Sequence, residues 1–535
     1  MIPTPARVPP GGPVVYGRKD RAILTLEALR TLERRHAALP LMERAGLAAA
    51  DVASDMIGQP HARVVVLAGP GNNGGDACIV ARLLHERGGT VEVLGRPPAT
   101  GLSVEATAAW TALRATQVRE IEAPPDEPPA LVVDGLFGIG LARPIAAPWS
   151  QWIGWANGGG SPILALDIPS GLDASTGVAR APTIVATRTT TFIALKPGLL
   201  TGDGPDHCGT ISVHDLGLYD TAAARTGDCL TWRDLAIDLP EVLVRNRLAT
   251  HKGTFGTAVV AGGAEGMVGA ALLAARAALT LGAGRVVVEL IARGGPRFDP
   301  TAPELMLNEA RIDDASPSTN GERSPASASR GRWRATDAQA LVVGPGLGRS
   351  PLARAIVASA IASDVPLVLD ADALNLVAEE PGAADGNLSE GLVQRGAATI
   401  LTPHPAEAAR LLRRDTAAVQ GDRVAAATTL ARRFNATTIL KGAGSIVAHP
   451  GDGFDINATG NPALSTAGSG DVLSGMLGAL LAQGITAADA ARIAVCVHGA
   501  AADALVADGI GPVGVRASEV IERARALVNA ARGHA

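Results

Sequence analysis

The chain repeats one local pattern, in which a short apolar run is followed by a glycine-rich loop and then by an amphipathic helix. Residues 63–68 (RVVVLA) lead into such a loop at 69–76, and residues 257–261 begin a second series. These units are typical of doubly wound α/β domains, which bind ligands where parallel strands end. The 63 glycines and the aromatic content of 3% also favour this class over a β-sandwich. The expected fold class is therefore α/β in both halves.

The length of 535 residues exceeds what one ordinary core accommodates, so at least two domains are expected. The second α/β series places an N-terminal domain at 1–235 and a C-terminal domain at 236–535. Residues 220–250 are irregular and polar, as in a linker. Residues 311–335 lack apolar periodicity and are rich in Ser, Pro and Arg, which predicts an exposed insertion.

Net charge, cysteine spacing and apolar runs indicate which partners and which cellular compartment to expect. The net charge of −5 offers no global basic field, so we expect no nucleic-acid partner. The four cysteines are scattered without a CxxC pair, which indicates neither a zinc site nor a disulfide framework and fits a reducing cytoplasm. The N-terminus lacks a signal-peptide core and no uninterrupted apolar run reaches membrane length, so we expect a cytoplasmic protein with no membrane partner.

Arginine has nearly replaced lysine, which remains only at Lys19, Lys196, Lys252 and Lys441. Where arginine serves generic surface roles, a retained lysine suggests a need for its compact ammonium group. Chance retention is the alternative. Lys252 and Lys441 both lie within motifs described below.

Polar side chains follow three predicted strands of the first half. Residues 69–76 form a Gly/Asn loop, and Asp134 and Asp167 each end an apolar run before a glycine-bearing loop. The carboxyl ends of parallel strands share one edge of a sheet, so we expect these groups to converge. A single Asp at such a place is often only a turn former. Three converging groups favour a binding site.

The second half contains a loop that runs into an apolar helix at 461–475 (NPALSTAGSGDVLSG). Its small residues let the backbone approach a ligand, and a helix N-terminus attracts anions such as phosphate. Asp471 in the first turn is then placed to take a proton from a hydroxyl group. The alternative is that Asp471 merely caps the helix. The Gly-Ser-Gly-Asp sequence resembles the anion hole and catalytic aspartate of ribokinase-like sugar and vitamin kinases.

The first-half motifs GNNGGD, VDGLFGIGLARP and DIPSGLD, with LMERAG upstream, together resemble the epimerase domain that acts on hydrated NADH and NADPH. The resemblance implies a Rossmann-like three-layer domain, a potassium ion held by Asn73, Asp134 and Ser170, and Asp167 as the acid–base residue. The substrate-binding residues that it implies are Asn72, Asn73, Gly74, Gly75, Asp76, Gly138, Ile139, Gly140, Leu141, Ala142, Arg143, Pro144 and Asp167.

Epimerisation of a hydrate at C6 of the nicotinamide ring is chemically accessible to a carboxyl group. C6 is a hemiaminal carbon, so protonation of the departing oxygen gives an iminium-like species. The same carboxylate then activates water on the other face of the ring. Asp167 is the residue expected to do this.

The second-half motifs HKGTFG, GPGLG, DADALN, TPHPAE, LKGAG and GSGDVLSG resemble the nucleotide-dependent dehydratase of hydrated NAD(P)H, which has a ribokinase-like fold. The implied substrate-binding residues are Ala270, Gly346, His404 and Asp471. The implied contacts with the adenine nucleotide are Lys441, Gly442, Ala443, Gly444, Ser445 and Gly470. ADP or ATP with Mg²⁺ is the expected cofactor set, and ADP is the favoured donor. The resemblance also implies a homo-oligomer.

A kinase fold suits dehydration because phosphorylation turns the C6 hydroxyl into a good leaving group, with Asp471 as the base. Two alternatives remain open at this point. One is a phosphotransferase for a vitamin-like alcohol, with the N-terminal domain as a nucleotide-binding module. The other is a catalytically inactive nucleotide sensor, although both candidate catalytic aspartates are present.

Overall fold

The structure is a computed structural model that describes residues 21–59, 61–98, 100–141, 144–312, 333, 335–379, 387–451 and 453–531. Ala142, Arg143 and nearly all of the expected insertion at 311–335 lie outside the described residues. The chain forms two compact units, Met1–Cys229 and Leu230–Ala535. Their boundary lies slightly before the one expected from the sequence.

The first unit is built on a parallel sheet. The strands up to the unit boundary are β1 (Ala22–Ile23), β2 (Arg63–Ala68), β3 (Thr90–Leu94), β4 (Arg119–Ile121), β5 (Leu131–Gly135), β6 (Ile163–Leu166), β7 (Arg188–Phe192), β8 (Thr210–His214) and β9 (Gly227–Leu230). Seven of them form a parallel sheet in the order β4-β3-β2-β5-β6-β7-β8, and β1 pairs antiparallel with β9. The buried, β-branched runs explain why these segments form interior strands.

Helices flank this sheet. They are α1 (Leu26–Arg35), α2 (Leu41–Ile57), α3 (Asn72–Glu86), α4 (Val104–Arg114), α5 (Trp149–Gly158), α6 (Gly204–His207) and α7 (Thr221–Ala224), with a 3₁₀ turn at Pro197–Leu199. The apolar spacing over 20–57 predicts helix, and the structure divides that stretch between α1 and α2. Pro40 stands at the N-cap of α2, where a missing N–H costs no helical hydrogen bond.

The second unit is also α/β. Its strands are β10 (Thr257–Gly262), β11 (Arg285–Leu290), β12 (Met306–Glu309), β13 (Ala340–Val343), β14 (Leu367–Leu369), β15 (Thr399–Leu401), β16 (Thr437–Leu440), β17 (Ile446–Ala448) and β18 (Phe454–Asn457). They follow the order β18-β17-β16-β15-β14-β13-β10-β11-β12. Pairing is parallel from β12 to β16 and antiparallel across β16, β17 and β18.

The helices of the second unit cover the two faces of its sheet. They are α8 (Trp232–Leu235), α9 (Glu241–Val244), α10 (Val268–Thr280), α11 (Pro351–Ile361), α12 (Ala371–Ala378), α13 (Leu388–Val393), α14 (Pro405–Leu412), α15 (Thr416–Gly421), α16 (Arg423–Phe434), α17 (Ser469–Ala482), α18 (Ala487–Ala507) and α19 (Ala517–Ala531), with 3₁₀ turns at Ala236–Asp238, Lys252–Phe255 and Pro462–Leu464. The α/β fold class expected for both halves is confirmed.

Helix α17, which carries Asp471, packs tightly against α10. A Cβ atom added at Gly475 would lie 1.9 Å from the carbonyl oxygen of Ala274, so only glycine allows this approach. Val472, Met476 and other apolar residues of α17 are buried in the core of the unit. Tight packing therefore fixes the position of the helix N-terminus.

Helix α18 is, among the described residues, the single helix whose length and hydropathy would permit a membrane span. The most apolar window of this helix is 72% buried inside the protein. Its apolar residues therefore already have partners, as expected for a helix at the centre of a core.

Candidate active sites

The first unit contains a cavity of about 850 Å³ at the carboxyl ends of its central strands. The sequence-predicted residues that line it are Asn72, Asn73, Asp76, Gly138, Ile139, Gly140, Leu141 and Asp167. Apolar side chains such as Leu29, Met42 and Phe137 complete the wall. The expected convergence of the Gly/Asn loop and Asp167 at one sheet edge is thus observed.

Other predicted residues of this region lie behind the wall. A Cβ atom at Gly74 would meet the carbonyl oxygen of Gly69 at 2.0 Å, and one at Gly75 would meet the sulfur of Met42 at 2.8 Å. These two glycines let the loop and α2 approach α3 closely. Pro144 does not line the cavity among the described residues.

Asp167 follows β6 with a left-handed backbone, at φ 64°. Its N–H donates to the carbonyl oxygen of Thr190 at 2.7 Å. Its Oδ1 accepts hydrogen bonds at 3.3 Å from the Thr191 hydroxyl and from the N–H of Phe192. The Lys196 ammonium group also donates to Oδ1. The other carboxylate oxygen therefore remains available to a ligand in the cavity.

Lys196 is only 1% exposed and anchors this arrangement. Its Nζ also donates to the Thr191 hydroxyl and to the carbonyl oxygen of Phe192, each at 2.9 Å. No motif reasoning assigned a role to this residue, because it follows a different strand from Asp167. The one available signal was that it is among the few lysines retained by the chain.

Four carboxyl groups, those of Glu33, Asp76, Glu105 and Asp167, line this cavity together with the buried ammonium group of Lys196. Burial raises the pKa of Asp76 well above its usual value, and the negative charges of Asp167 and Glu33 raise it further. Burial and Asp167 likewise raise the pKa of Glu33. The cavity therefore favours the protonated forms of Asp76 and Glu33 more than water does.

The residues implied as potassium ligands are buried beside the cavity. Asp134 accepts hydrogen bonds from the hydroxyl of Ser170 at 2.7 Å and from its N–H at 2.8 Å. Burial raises the pKa of Asp134 to about 6, although these hydrogen bonds and one from the N–H of Leu136 favour its ionised form. Asn73 is buried, and neither end of its side-chain amide bonds to any residue described by the structure.

The N-terminus of α17 forms the centre of the second site. Its N-cap is Gly468, at φ 87°, and no side-chain hydrogen bond caps the helix. Asp471 is therefore not the N-cap and makes no capping hydrogen bond, although it is an acidic residue in the first turn of the helix. Burial raises the pKa of Asp471 to about 6, with a further contribution from the charge of Asp370. Asp471 is thus a carboxyl group whose ionisation falls close to neutral pH.

Lys441 lies beside this helix N-terminus and is held by Asp370. Lys441 Nζ is 2.8 Å from Asp370 Oδ1, and the Ser474 hydroxyl donates to Oδ2 at 2.6 Å. Burial alone would raise the pKa of Asp370, but Lys441 and these hydrogen bonds hold it below its usual value. A Cβ atom at Gly470 would lie 3.4 Å from Lys441 Nζ. Sequence reasoning assigned no role to Asp370, which follows β14 and lies 71 residues before Lys441 in the chain.

His404 has a structural task in addition to its predicted ligand contact. Its Nδ1 accepts hydrogen bonds from the backbone N–H groups of Ala406 and Glu407. The Glu407 carboxylate in turn accepts a hydrogen bond from the backbone N–H of His404 at 2.8 Å. Burial, and then the charge of Lys441, lower the pKa of His404. His404 therefore caps α14 as a neutral imidazole, with a side chain that is 48% exposed.

Ala270 and Gly346 lie next to each other, as expected for two residues of one substrate site. A Cβ atom at Gly346 would lie 3.1 Å from the Cβ of Ala270 and 2.6 Å from the carbonyl oxygen of Met267. Gly346 also has a left-handed backbone, with φ 57°. A larger residue at 346 would therefore be strained both by its backbone and by its neighbours.

The loop predicted to contact the nucleotide runs from Lys441 to Ser445, between β16 and β17. Gly442 and Gly444 have positive φ angles of 131° and 59°. The buried guanidinium group of Arg423 lies beneath Gly442 and donates to the carbonyl oxygen of Lys441 at 3.2 Å. The loop, which includes Ala443, is therefore supported from below by a fixed positive charge.

Comparisons with known proteins find matches to both units of the chain. Residues 258–524 match the family model described as NAD(P)H-hydrate dehydratase, and residues 38–198 match the one described as YjeF-related protein N-terminus. A bifunctional NAD(P)H-hydrate repair enzyme of Leishmania major is 40% identical over 513 residues, which cover 92% of this chain and 89% of the relative. One from Escherichia coli K12 is 37% identical over 492 residues, or 91% and 89% of the two chains.

Among solved structures, an ADP/ATP-dependent NAD(P)H-hydrate dehydratase of Bacillus subtilis, co-crystallised with ATP/Mg²⁺, is 26% identical. The match covers 56% of this chain and 96% of the Bacillus subtilis chain, with a TM-score of 0.44. The two curated relatives span both units of this chain at more than a third identity. The resemblance indicated by the motifs is thereby confirmed, and the chain belongs to the family of bifunctional NAD(P)H-hydrate repair enzymes.

Proposed function

We propose that this chain repairs hydrated NADH and NADPH, with epimerisation of the R and S hydrates in the first unit and nucleotide-dependent dehydration of the S hydrate in the second. The observation that carries the proposal is that both sites place a carboxyl group beside a lysine ammonium group. Asp167 receives a hydrogen bond from buried Lys196, and Asp471 stands at a helix N-terminus beside the Lys441–Asp370 pair. Each unit therefore holds an acid–base carboxyl group next to an ammonium group.

In the first unit, the cavity that would hold the nicotinamide ring is lined by both apolar and polar side chains. Asp167 is the residue that moves a proton at the C6 oxygen. Lys196 and the N–H of Phe192 fix the orientation of its carboxylate. The N–H groups at the start of α3 face the cavity near Asn72 and suit the phosphates of the hydrate.

The residues of the first unit fit a potassium ion. Asn73 Oδ1 is a buried oxygen without a partner among the described residues, and the oxygens of Asp134 and Ser170 complete an all-oxygen set. Oxygen ligands are those preferred by hard cations. A bound ion would supply positive charge beside the substrate phosphates.

In the second unit, Asp471 takes the proton from the C6 hydroxyl of the hydrate. The helix N-terminus and the Lys441 ammonium group stabilise the negative charge of the phosphates. The described residues contain no group of three His, Cys, Asp or Glu side chains suited to a metal. Mg²⁺ therefore suits this site as an ion that enters on the nucleotide phosphates. We infer ADP as the preferred donor, in line with the resemblance.

The decisive experiment measures absorbance at 340 nm after the purified chain is mixed with both hydrates and either ADP or ATP. Restoration of the dihydronicotinamide, with free phosphate as co-product, supports the proposal. A vitamin-alcohol kinase would instead release a phosphorylated alcohol and leave the hydrates untouched. A faster initial rate with ATP than with ADP would contradict the choice of donor alone.

We also propose that the protein is a cytoplasmic homo-oligomer. The four cysteines, Cys78, Cys208, Cys229 and Cys496, are buried, and none of them forms a disulfide, as in a reducing compartment. Light scattering coupled to size-exclusion chromatography tests the assembly, because a mass of 54.1 kDa identifies the monomer. Fractionation of cells that express the tagged chain tests the compartment.

A further inference from the structure

Asp76 is a carboxyl group of the first unit's cavity for which the proposed reaction has no chemical task. It lies near the start of α3, and its side chain makes no hydrogen bond or ion pair with any residue in the described parts of the chain. Its electrostatic neighbours are Glu33, Asp167 and Lys196. The charged groups that face the same cavity from the surrounding elements are Arg30, Glu33 and Arg34 on α1, Glu105 on α4, Asp167 after β6 and Lys196 after β7.

Asp76 and Asp167 line the same cavity from different structural elements. Asp76 is on the helix that follows β2, Asp167 follows β6, and β5 lies between these two strands in the sheet. Two strand spacings amount to about 10 Å, so the ends of β2 and β6 are separated at the sheet edge by more than the thickness of a ring. Asn73, 7% exposed and without a side-chain hydrogen-bond partner among the described residues, also lines the cavity. Its Oδ1 is the candidate potassium ligand, and its unpartnered Nδ2 group points to a further ligand in the cavity.

Epimerisation at C6 needs proton transfer on both faces of the ring. The C–O bond breaks on one face, where the departing hydroxyl takes up a proton to leave as water. A new C–O bond forms on the other face, where the attacking water loses a proton. One carboxyl group lies on one face only. Two groups on opposite faces, one neutral and one ionised, perform both transfers without reorientation of the substrate.

We propose that Asp76 and Asp167 act as an acid–base pair on opposite faces of the nicotinamide ring. In one direction, Asp76 gives its proton to the departing hydroxyl, the C6–O bond breaks, and the ring-nitrogen lone pair forms a C=N bond. Water then adds to C6 from the Asp167 side. The C=N electron pair returns to nitrogen, and the proton of the water passes to Asp167. The opposite direction uses the exchanged protonation states. This inference rests on the epimerase half of the proposed function.

The electrostatics of the cavity supply the required starting state. Lys196 donates to the Asp167 carboxylate and stabilises its negative charge. Burial and the like charges of Asp167 and Glu33 raise the pKa of Asp76 well above its usual value, which favours the protonated form of this carboxyl group. The wild-type rate should therefore fall on the alkaline side as Asp76 loses its proton.

The test follows interconversion of purified R and S hydrates by chromatography across a pH range, with the spontaneous rate subtracted. Asp76→Asn keeps the size of the side chain but cannot exchange a proton, so its maximal rate should fall about 10²–10⁴-fold. Asp76→Glu should retain measurable epimerisation, and its rate should still decrease at alkaline pH. Glu86→Gln, on the exposed end of the same helix, is the matched control and should behave like wild type.

The second unit of the same chain reports whether each variant is intact, through nucleotide-dependent dehydration of the S hydrate. Asp76→Asn with wild-type dehydration and a lost epimerase rate supports the pair. If Asp76→Asn epimerises within threefold of the wild-type rate, the proposed acid–base pair is wrong. It is also wrong if the rate of this variant still falls at alkaline pH. A wild-type chain that does not accelerate interconversion overturns the epimerase proposal as well, so the two failures are distinguishable.

Discussion

Lys196 concentrates the positive charge of the first site in one buried ammonium group. Replacement by methionine would keep most of its bulk but leave the Asp167 carboxylate without its ionic partner. Loss of one partner from a buried pair typically costs about 3–5 kcal/mol. We therefore expect Lys196→Met to lower the melting temperature of the first unit and to reduce epimerisation more than tenfold, measured by calorimetry and by hydrate chromatography.

The matched control is Lys252→Met, which removes an exposed lysine in the second unit. It should leave the melting temperature of the first unit and its epimerisation rate unchanged. If Lys196→Met retained the wild-type epimerisation rate, Lys196 would not be needed to orient Asp167.

Asp471 yields a prediction about pH. Its pKa is raised to about 6, so dehydration by the wild-type chain should weaken as the pH falls through 6 and the base becomes protonated. Asp471→Asn should lower the rate about 10²–10⁴-fold at saturating nucleotide and leave epimerisation intact. The assay is NADH formation from the S hydrate.

The same substitution separates catalysis from stability. A carboxyl group with a raised pKa in the folded state favours folding while protonated and loses that contribution as the pH rises past 6. Asp471→Asn should therefore raise the melting temperature at pH 8 relative to wild type. A lower melting temperature with normal turnover would instead indicate a structural role.

At the level of residues, sequence reasoning located the groups that end strands better than the groups that pair with them. Asp134 and Asp167 each close an apolar run, and that pattern is local. The partners Lys196 and Asp370 lie far along the chain from Asp167 and Lys441, and only the strand order brings each pair together. Side-chain pairing across a sheet leaves little trace in local spacing.

At the level of elements, the contact between α10 and α17 positions the second site. The Cβ atom of an alanine at 475 would meet the Ala274 carbonyl oxygen at 1.9 Å, so the helices must separate. Overpacking of this kind costs about 1–3 kcal/mol. We expect Gly475→Ala to lower the melting temperature of the second unit and to weaken dehydration, while epimerisation persists.

Gly421→Ala provides the control, because a Cβ atom at Gly421 meets no atom within 4 Å. It should leave dehydration unchanged, with a melting temperature at or above that of wild type. An unchanged melting temperature for Gly475→Ala would show that α17 has room to shift.

The strands were the elements best predicted from sequence. The sequence predicts strands at 63–68 and 285–290, and β2 and β11 have these limits, because their valine-rich centres suit a parallel sheet. Helix starts were less certain. The sequence predicts a helix from residue 270, whereas α10 begins at Val268, because the position of a helix end depends on local packing.

At the level of the whole molecule, the two units have separate hydrophobic cores and separate sites. A chain with Asp167→Ala and a chain with Asp471→Asn should therefore complement each other when mixed. Each variant alone should convert an R and S hydrate mixture to NADH slowly or incompletely. The mixture should recover conversion near the wild-type extent, measured at 340 nm. Failure of the mixture would show that each site depends on an intact partner site in its own chain.

The presence of both units in one polypeptide has a consequence for the cell. Synthesis, dilution and degradation change the amounts of the two active sites together, so their stoichiometry is fixed at one to one. Changes in expression then alter the total repair capacity but leave the balance between the two steps untouched. That balance depends only on the turnover of each site, and thus on single residues such as Asp167 and Asp471 rather than on regulation of two separate genes.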